Sequence, residues 1–128
     1  MPTRSPHPER SPVRLAALAL LLLTLAAPRP HSAEAIVAGT EDLPIMPGLA
    51  PVEGAGVVFD SPQGRIVEAY AKGQASRAAV LEFYARTLPQ LGWREESQTL
   101  YRRESEALRL ELYEEAGGIT VRFYLAPS

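Results

Sequence analysis

The sequence predicts an α+β domain in which a single helix packs on one face of a mainly antiparallel sheet. Three observations lead there. Apolar residues of 76–93, SRAAVLEFYARTLPQLGW, recur at spacings of three and four, which draws one stripe on a 3.6-residue helix. Residues 108–113, within the strand expected at 107–114, and residues 119–125 instead alternate inward apolar with outward residues, the period of a half-buried strand. The summed order, β-β-α-β-β-β-β, sets strands joined by short turns on both sides of one helix.

The helix stripe is Val80, Leu81, Tyr84, Leu88 and Leu91, with Arg77, Glu82 and Arg86 falling elsewhere. Ser76 is placed to cap the first turn, because its hydroxyl can accept from an amide that has no partner within the helix. Glu82 and Arg86 form an i,i+4 pair. Pro89 lacks an N–H and its ring opposes the carbonyl of Ala85, so regular helix stops near Leu88, and Gly92 supplies a left-handed residue to close the end.

Upstream, Arg4, Arg10 and Arg14 precede the uncharged apolar run 15–27, which is shorter than the roughly 20 residues of a membrane span. Pro28 and Pro30 follow, then Ala33-Glu34-Ala35, an A-x-A pattern. Residues 1–35 are therefore expected to be a secretory signal peptide cleaved near Ala35, leaving a periplasmic or secreted protein that touches the membrane only if the leader stays uncleaved. Residues 36–53 form a proline-rich extended arm, with Leu43, Ile45, Met46 and Leu49 laid on the domain and no regular element expected. The α+β domain occupies 54–128.

Within it, 54–60 reads as a strand, Ser61-Pro62-Gln63-Gly64 as a turn, and 65–72 as the second strand of a hairpin with an unresolved inner face. Short polar strands are expected at 93–97 and 99–103. In the last hairpin Leu108, Leu110 and Leu112 face the core opposite Ile119, Val121, Phe123 and Leu125.

Phe83-Tyr84, Leu88 and Gly92-Trp93, spaced as FYxxxLxxxGW, resemble a signature of small uncharacterised exported bacterial domains, as does the arm from Asp42 to Gly48, DLPIMPG. The resemblance implies an exported domain whose role is generally unassigned, and it carries no site residues. Physically, the same positions suit packing: two in the apolar stripe, a terminating glycine, and a tryptophan at the helix–sheet corner.

The chemistry is narrow. The chain has no cysteine, and its two histidines, His7 and His31, lie in the leader segment, so no Ser-His or Cys-His pair and no usual zinc site are available after residue 35. No cofactor and no metal are expected. Glu95-Glu96, Glu104 with Glu106, and Glu114-Glu115 are the only acidic groupings for a carboxylate-dependent hydrolase, and neighbours in a strand point apart. Four of the 13 basic and two of the 15 acidic residues lie in 1–35, leaving nine against thirteen, a charge of about −4 that offers no nucleic-acid footprint.

The expectation is a non-enzymatic, exported cell-envelope domain acting by contact with a protein or peptide. Its candidate surface is the outward face of the last two strands, Arg109, Glu111 and Tyr113 beside Arg122 and Tyr124, because Arg and Tyr are enriched at binding hot spots. The alternative is a small-ligand or lipid carrier with a cleft between helix and sheet lined by Tyr84, Trp93 and Phe123.

Overall fold

The computed structural model describes residues 2–4 and 35–128. Residues 5–34, which hold most of the expected leader and of its cleavage motif, lie outside the described residues. Among the described residues, no helix is long and apolar enough to cross a membrane.

From Ala35 onward the chain forms a seven-stranded antiparallel sheet with a single α-helix, an α+β fold. The strands are β1 (Leu49–Pro51), β2 (Val57–Ser61), β3 (Gly64–Gly73), β4 (Arg94–Ser97), β5 (Leu100–Arg103), β6 (Glu106–Glu115) and β7 (Gly118–Pro127). The helix α1 (Arg77–Thr87) sits between β3 and β4 and runs into a 3-10 turn, Leu88–Leu91. The main path of the sheet is β1-β3-β7-β6-β5-β4, and β2 also pairs with β3. Since β1 faces Ala71–Gly73 and β2 faces Gly64–Glu68, the two short strands share one edge of β3 in succession.

The local signals act where the sequence places them. Ser76 Oγ accepts from the Ala79 amide at 3.1 Å, Gly92 takes φ 88°, and the Trp93 amide donates to Leu88 O at 3.1 Å. Regular helix ends at Thr87, just before Pro89.

The arm departs from expectation in one respect: its last residues form β1. Ten-residue β3 is longer than β2 can cover, and β1 supplies backbone partners for β3's last turn of ladder while Leu49 enters the core. Pro51 is compatible with this place because β1 is an edge strand, where a missing N–H is tolerated. The inner face of β3 is Val67, Ala69 and Ala71.

Those residues join Leu108 and Leu110 of β6, alternate residues Ile119 to Leu125 of β7, and Tyr101 of β5 in one core beneath Val80, Tyr84 and Leu88 of the helix. Val37, Leu43, Ile45 and Leu49 of the arm belong to the same core. Small Ala69 and Ala71 leave room for Tyr84 and Phe123, which meet edge to face at 5.6 Å.

Two polar atoms of this core, Trp93 Nε1 and the Tyr101 hydroxyl, have no hydrogen-bond partner among the described residues. Burial, with Glu95 nearby, pushes the Tyr101 phenol above its ordinary value. Tyr101→Phe removes a desolvated hydroxyl and no hydrogen bond, so it is expected to leave stability unchanged or raise it by about 0–1 kcal/mol, read from the urea midpoint. A loss of 2 kcal/mol or more, by the ~1–3 kcal/mol scale of a broken buried bond, would contradict that environment.

Candidate functional site

The outward sheet face presents the expected residues in cross-strand rows. Tyr70, Arg122 and Glu111 stand side by side on β3, β7 and β6, and Glu68, Tyr124 and Arg109 form the next row. Arg122 is the hub. Its guanidinium donates to Glu111 Oε2 at 2.9 Å and Glu68 Oε2 at 3.1 Å, and lies 4.9 Å from the Tyr124 ring centroid. The Tyr113 hydroxyl donates to Glu111 Oε2 at 2.8 Å, and the Tyr70 hydroxyl donates to Glu68.

These bonds shift both carboxylates the same way. The Arg122 hydrogen bond, helped by Tyr70, holds Glu68 below the ordinary glutamate value of 4.5, and the Tyr113 bond with Arg122 does the same to Glu111. A depressed folded pKa contributes stability above the unfolded value that is lost as pH falls through the folded one. The melting temperature of the wild type is therefore expected to fall from about pH 4.5 downward, and to fall less steeply in Arg122→Met. Identical acid profiles for the two proteins would show that the network contributes nothing to the dependence.

Arg109, Glu111, Tyr113, Arg122 and Tyr124 thus share one face, but Arg122, Glu111 and Tyr113 already satisfy one another. Arg109 and Tyr113 are the exposed members, and a double change of Arg122 and Tyr124 would disturb the sheet as well as a contact surface.

Tyr84, Trp93 and Phe123 are also adjacent to one core, and all three are buried. The Tyr84 hydroxyl donates to Pro44 O at 2.9 Å and accepts from the Met46 amide at 3.2 Å, which pins the arm. Trp93 lies under Arg103, whose guanidinium is 4.3 Å from its ring centroid. Arg103 in turn holds Asp42 through two bonds of 2.8 and 3.3 Å and Leu91 O at 3.0 Å. All three aromatic residues belong to the packed core, and Phe123 also borders an opening beside β2. Of the FYxxxLxxxGW spacing, Tyr84 bonds the DLPIMPG arm directly and Trp93 reaches it through Arg103 and Asp42, a latch between arm, helix end and sheet.

The acidic groupings are dispersed. Glu96 pairs with Arg102 at 2.6 Å, Glu106 pairs with Arg65 at 3.1 Å, and among the described residues no three acidic or histidine side chains converge as a metal site.

The feature that sequence reasoning missed is the contrast between the sheet's two edges. The β4 edge carries Arg94, Glu95 and Glu96, and its register with β5 shifts between Glu95 and Ser97. Charge and irregularity of this kind discourage another strand from pairing there. On the opposite edge, β2 pairs only with β3 and exposes Val57, Val58 and Phe59 by 59%, 57% and 58%. Ile36, 40% exposed, lines the same slot as Val57 and Val58. Three consecutive large apolar residues on a sheet edge, beside backbone groups without a ladder partner, form a ready template for an added strand.

Fold and surface together define an α+β domain with one guarded and one open sheet edge. No family model, no curated protein and no solved structure matches this chain.

Proposed function

We propose that this chain is an exported, non-enzymatic domain of the bacterial cell envelope that acts by contact with a protein or peptide, and that β2 is its contact element. Export is supported by the basic, apolar and A-x-A pattern of residues 1–35, and the envelope assignment by the resemblance of the helix-end signature to exported bacterial domains. A contact role is supported by the lack of histidine and cysteine after residue 35, which removes the usual nucleophile–base pairs.

The observation that carries the reading is the exposure of Val57, Val58 and Phe59 on an edge strand. Strand addition draws affinity from main-chain hydrogen bonds and specificity from the side chains of the receiving edge, and β2 offers both. The Arg/Tyr face is the weaker candidate because most of its donors and acceptors are engaged within the sheet.

Phe59→Lys places a charge on the edge without touching the core, since Phe59 is exposed. It is expected to abolish retention of a partner from envelope extract, identified by mass spectrometry, while the melting temperature changes little. Arg109→Ala with Tyr113→Ala, on the exposed part of the face, is expected to leave retention intact. The reverse pattern would move the contact to the face and remove β2 from the account.

A further inference from the structure

We infer that the occupant of the β2 edge is an extended segment of another protein that inserts one large apolar side chain into a slot at the N-terminal end of β2 and carries a basic residue beside it. This rests on the edge-contact reading above and adds the chemistry of the partner.

The slot exists because β1 and β2 do not meet along β3. Pro51 is paired with Ala71 and Val57 with Glu68, so the β3 edge at Ala69 and Tyr70 has no strand opposite it. A single bond, from the Val52 amide to Tyr70 O at 2.8 Å, bridges the gap. The opening is about 280 Å³ and reaches Ala69 and Phe123 of the core, between Ile36 and Ala38 of the arm and Val52 and Val57.

Its lining selects the guest. The walls are mainly apolar, with Ile36, Val37, Ile45, Val57 and Phe123 around the opening, which suits an aliphatic or aromatic side chain. Its position selects the presentation. A strand laid against Val57 to Ser61 and continued past Val57 crosses the mouth of the slot, the arrangement by which strand-addition sites read alternate side chains.

Charge selects the flank. Glu53 and Asp60 lie at the two ends of this stretch, both exposed and neither in an ion pair among the described residues. Arg65, opposite Asp60 in the register, is engaged by Glu106 and by Gly39 O. Lys72, exposed beside Val52 and Ala55, is the one cation of this stretch in no ion pair among the described residues, so two free carboxylates face one free lysine and the balance is acidic. With nine basic against thirteen acidic residues after residue 35, a second copy is disfavoured relative to a basic segment.

The test uses the full chain and an array of nine-residue peptides of alternating valine and threonine. One position in turn is changed to glycine, alanine, leucine or phenylalanine, and the ends are lysine in one series and glutamate in the other. Lysine-ended peptides with leucine or phenylalanine at one preferred position are expected to bind at least tenfold more tightly than their glycine counterparts. Ala38→Trp, which enlarges a slot-lining residue, should erase that difference and keep the weaker residual binding, whereas Phe59→Lys should abolish binding of every peptide. Melting curves establish that both variants fold.

Binding that Phe59→Lys abolishes but that ignores the anchor residue overturns the slot and leaves the edge reading intact. Equal binding of the glutamate-ended series overturns the charge assignment. A dimer in sedimentation velocity that Phe59→Lys dissolves, without peptide binding, gives the edge to a second copy and overturns the inference. No binding by any peptide, with partner retention unaffected by Phe59→Lys, removes the edge reading itself.

Discussion

Tyr84→Ala is expected to destabilise the domain by about 3–5 kcal/mol, the range for truncating a large buried aromatic. The ring is fully buried between Phe83 and Phe123, at centroid distances of 4.9 and 5.6 Å. Ala69 and Ala71 beneath the helix are too small to close the space. Small domains hold only about 5–15 kcal/mol in total, so the variant should be close to unfolded at 37 °C. Tyr84→Phe separates packing from hydrogen bonding. It keeps the ring and strips Pro44 O and the Met46 amide of their shared partner, for an expected loss of about 1–3 kcal/mol. Chemical denaturation of both variants checks this, and hydrogen exchange in Tyr84→Phe should quicken first in residues 37–46. A Tyr84→Phe protein as stable as wild type would mean that the arm is not held through this hydroxyl.

Trp93→Ala is expected to cost a similar ~3–5 kcal/mol, by a different route. Trp93 has no hydrogen bond to lose, because its Nε1 is unpartnered among the described residues. What it loses is volume at the corner of helix and sheet and the surface on which Arg103 rests. Arg103 spans Asp42 of the arm and Leu91 of the 3-10 turn, so freeing its guanidinium loosens two attachments at once. The Arg103 hydrogen bonds hold the Asp42 carboxyl below its ordinary value. By the same linkage, that pairing contributes above the ordinary aspartate range and fades as pH falls through the folded value, so arm protection in the wild type should be lost in acid. In Trp93→Ala the arm should lack that acid-sensitive part. Trp93→Phe, which retains an aromatic surface and breaks no bond, should be much milder than Trp93→Ala. Equal losses in the two would contradict a packing role.

These residues show what was legible beforehand. The helix, its Ser76 cap and its Gly92 stop follow from interactions within a few positions, and the alternation of 107–114 and 119–125 reads directly as a hairpin. The packing role of Tyr84 and Trp93 was visible in their spacing, but their attachment to the arm was not, since Pro44 and Asp42 come from 40 and 61 positions away from their partners. The three-residue β1 was hidden by Pro47, Gly48 and Pro51, and arises only because β3 offers an open stretch of edge. The outward face was legible as far as the β6–β7 pairing goes, with Glu111 beside Arg122. Glu68, the other half of that site, arrives from β3 through a long-range pairing. The β2 edge was hardest to see: residues 57–59 read as an ordinary strand, and their exposure depends on β3 placing its other side against β7.

The most direct measurement is amide hydrogen exchange across Val57–Ser61 in the free protein and in the presence of the partner retained on the wild-type chain. Contact by strand addition predicts rapid exchange at the outward amides of β2 in the free protein and strong protection in the complex, with β6 and β7 unchanged. Protection that leaves β2 untouched and appears instead around Arg109 and Tyr113 would contradict it.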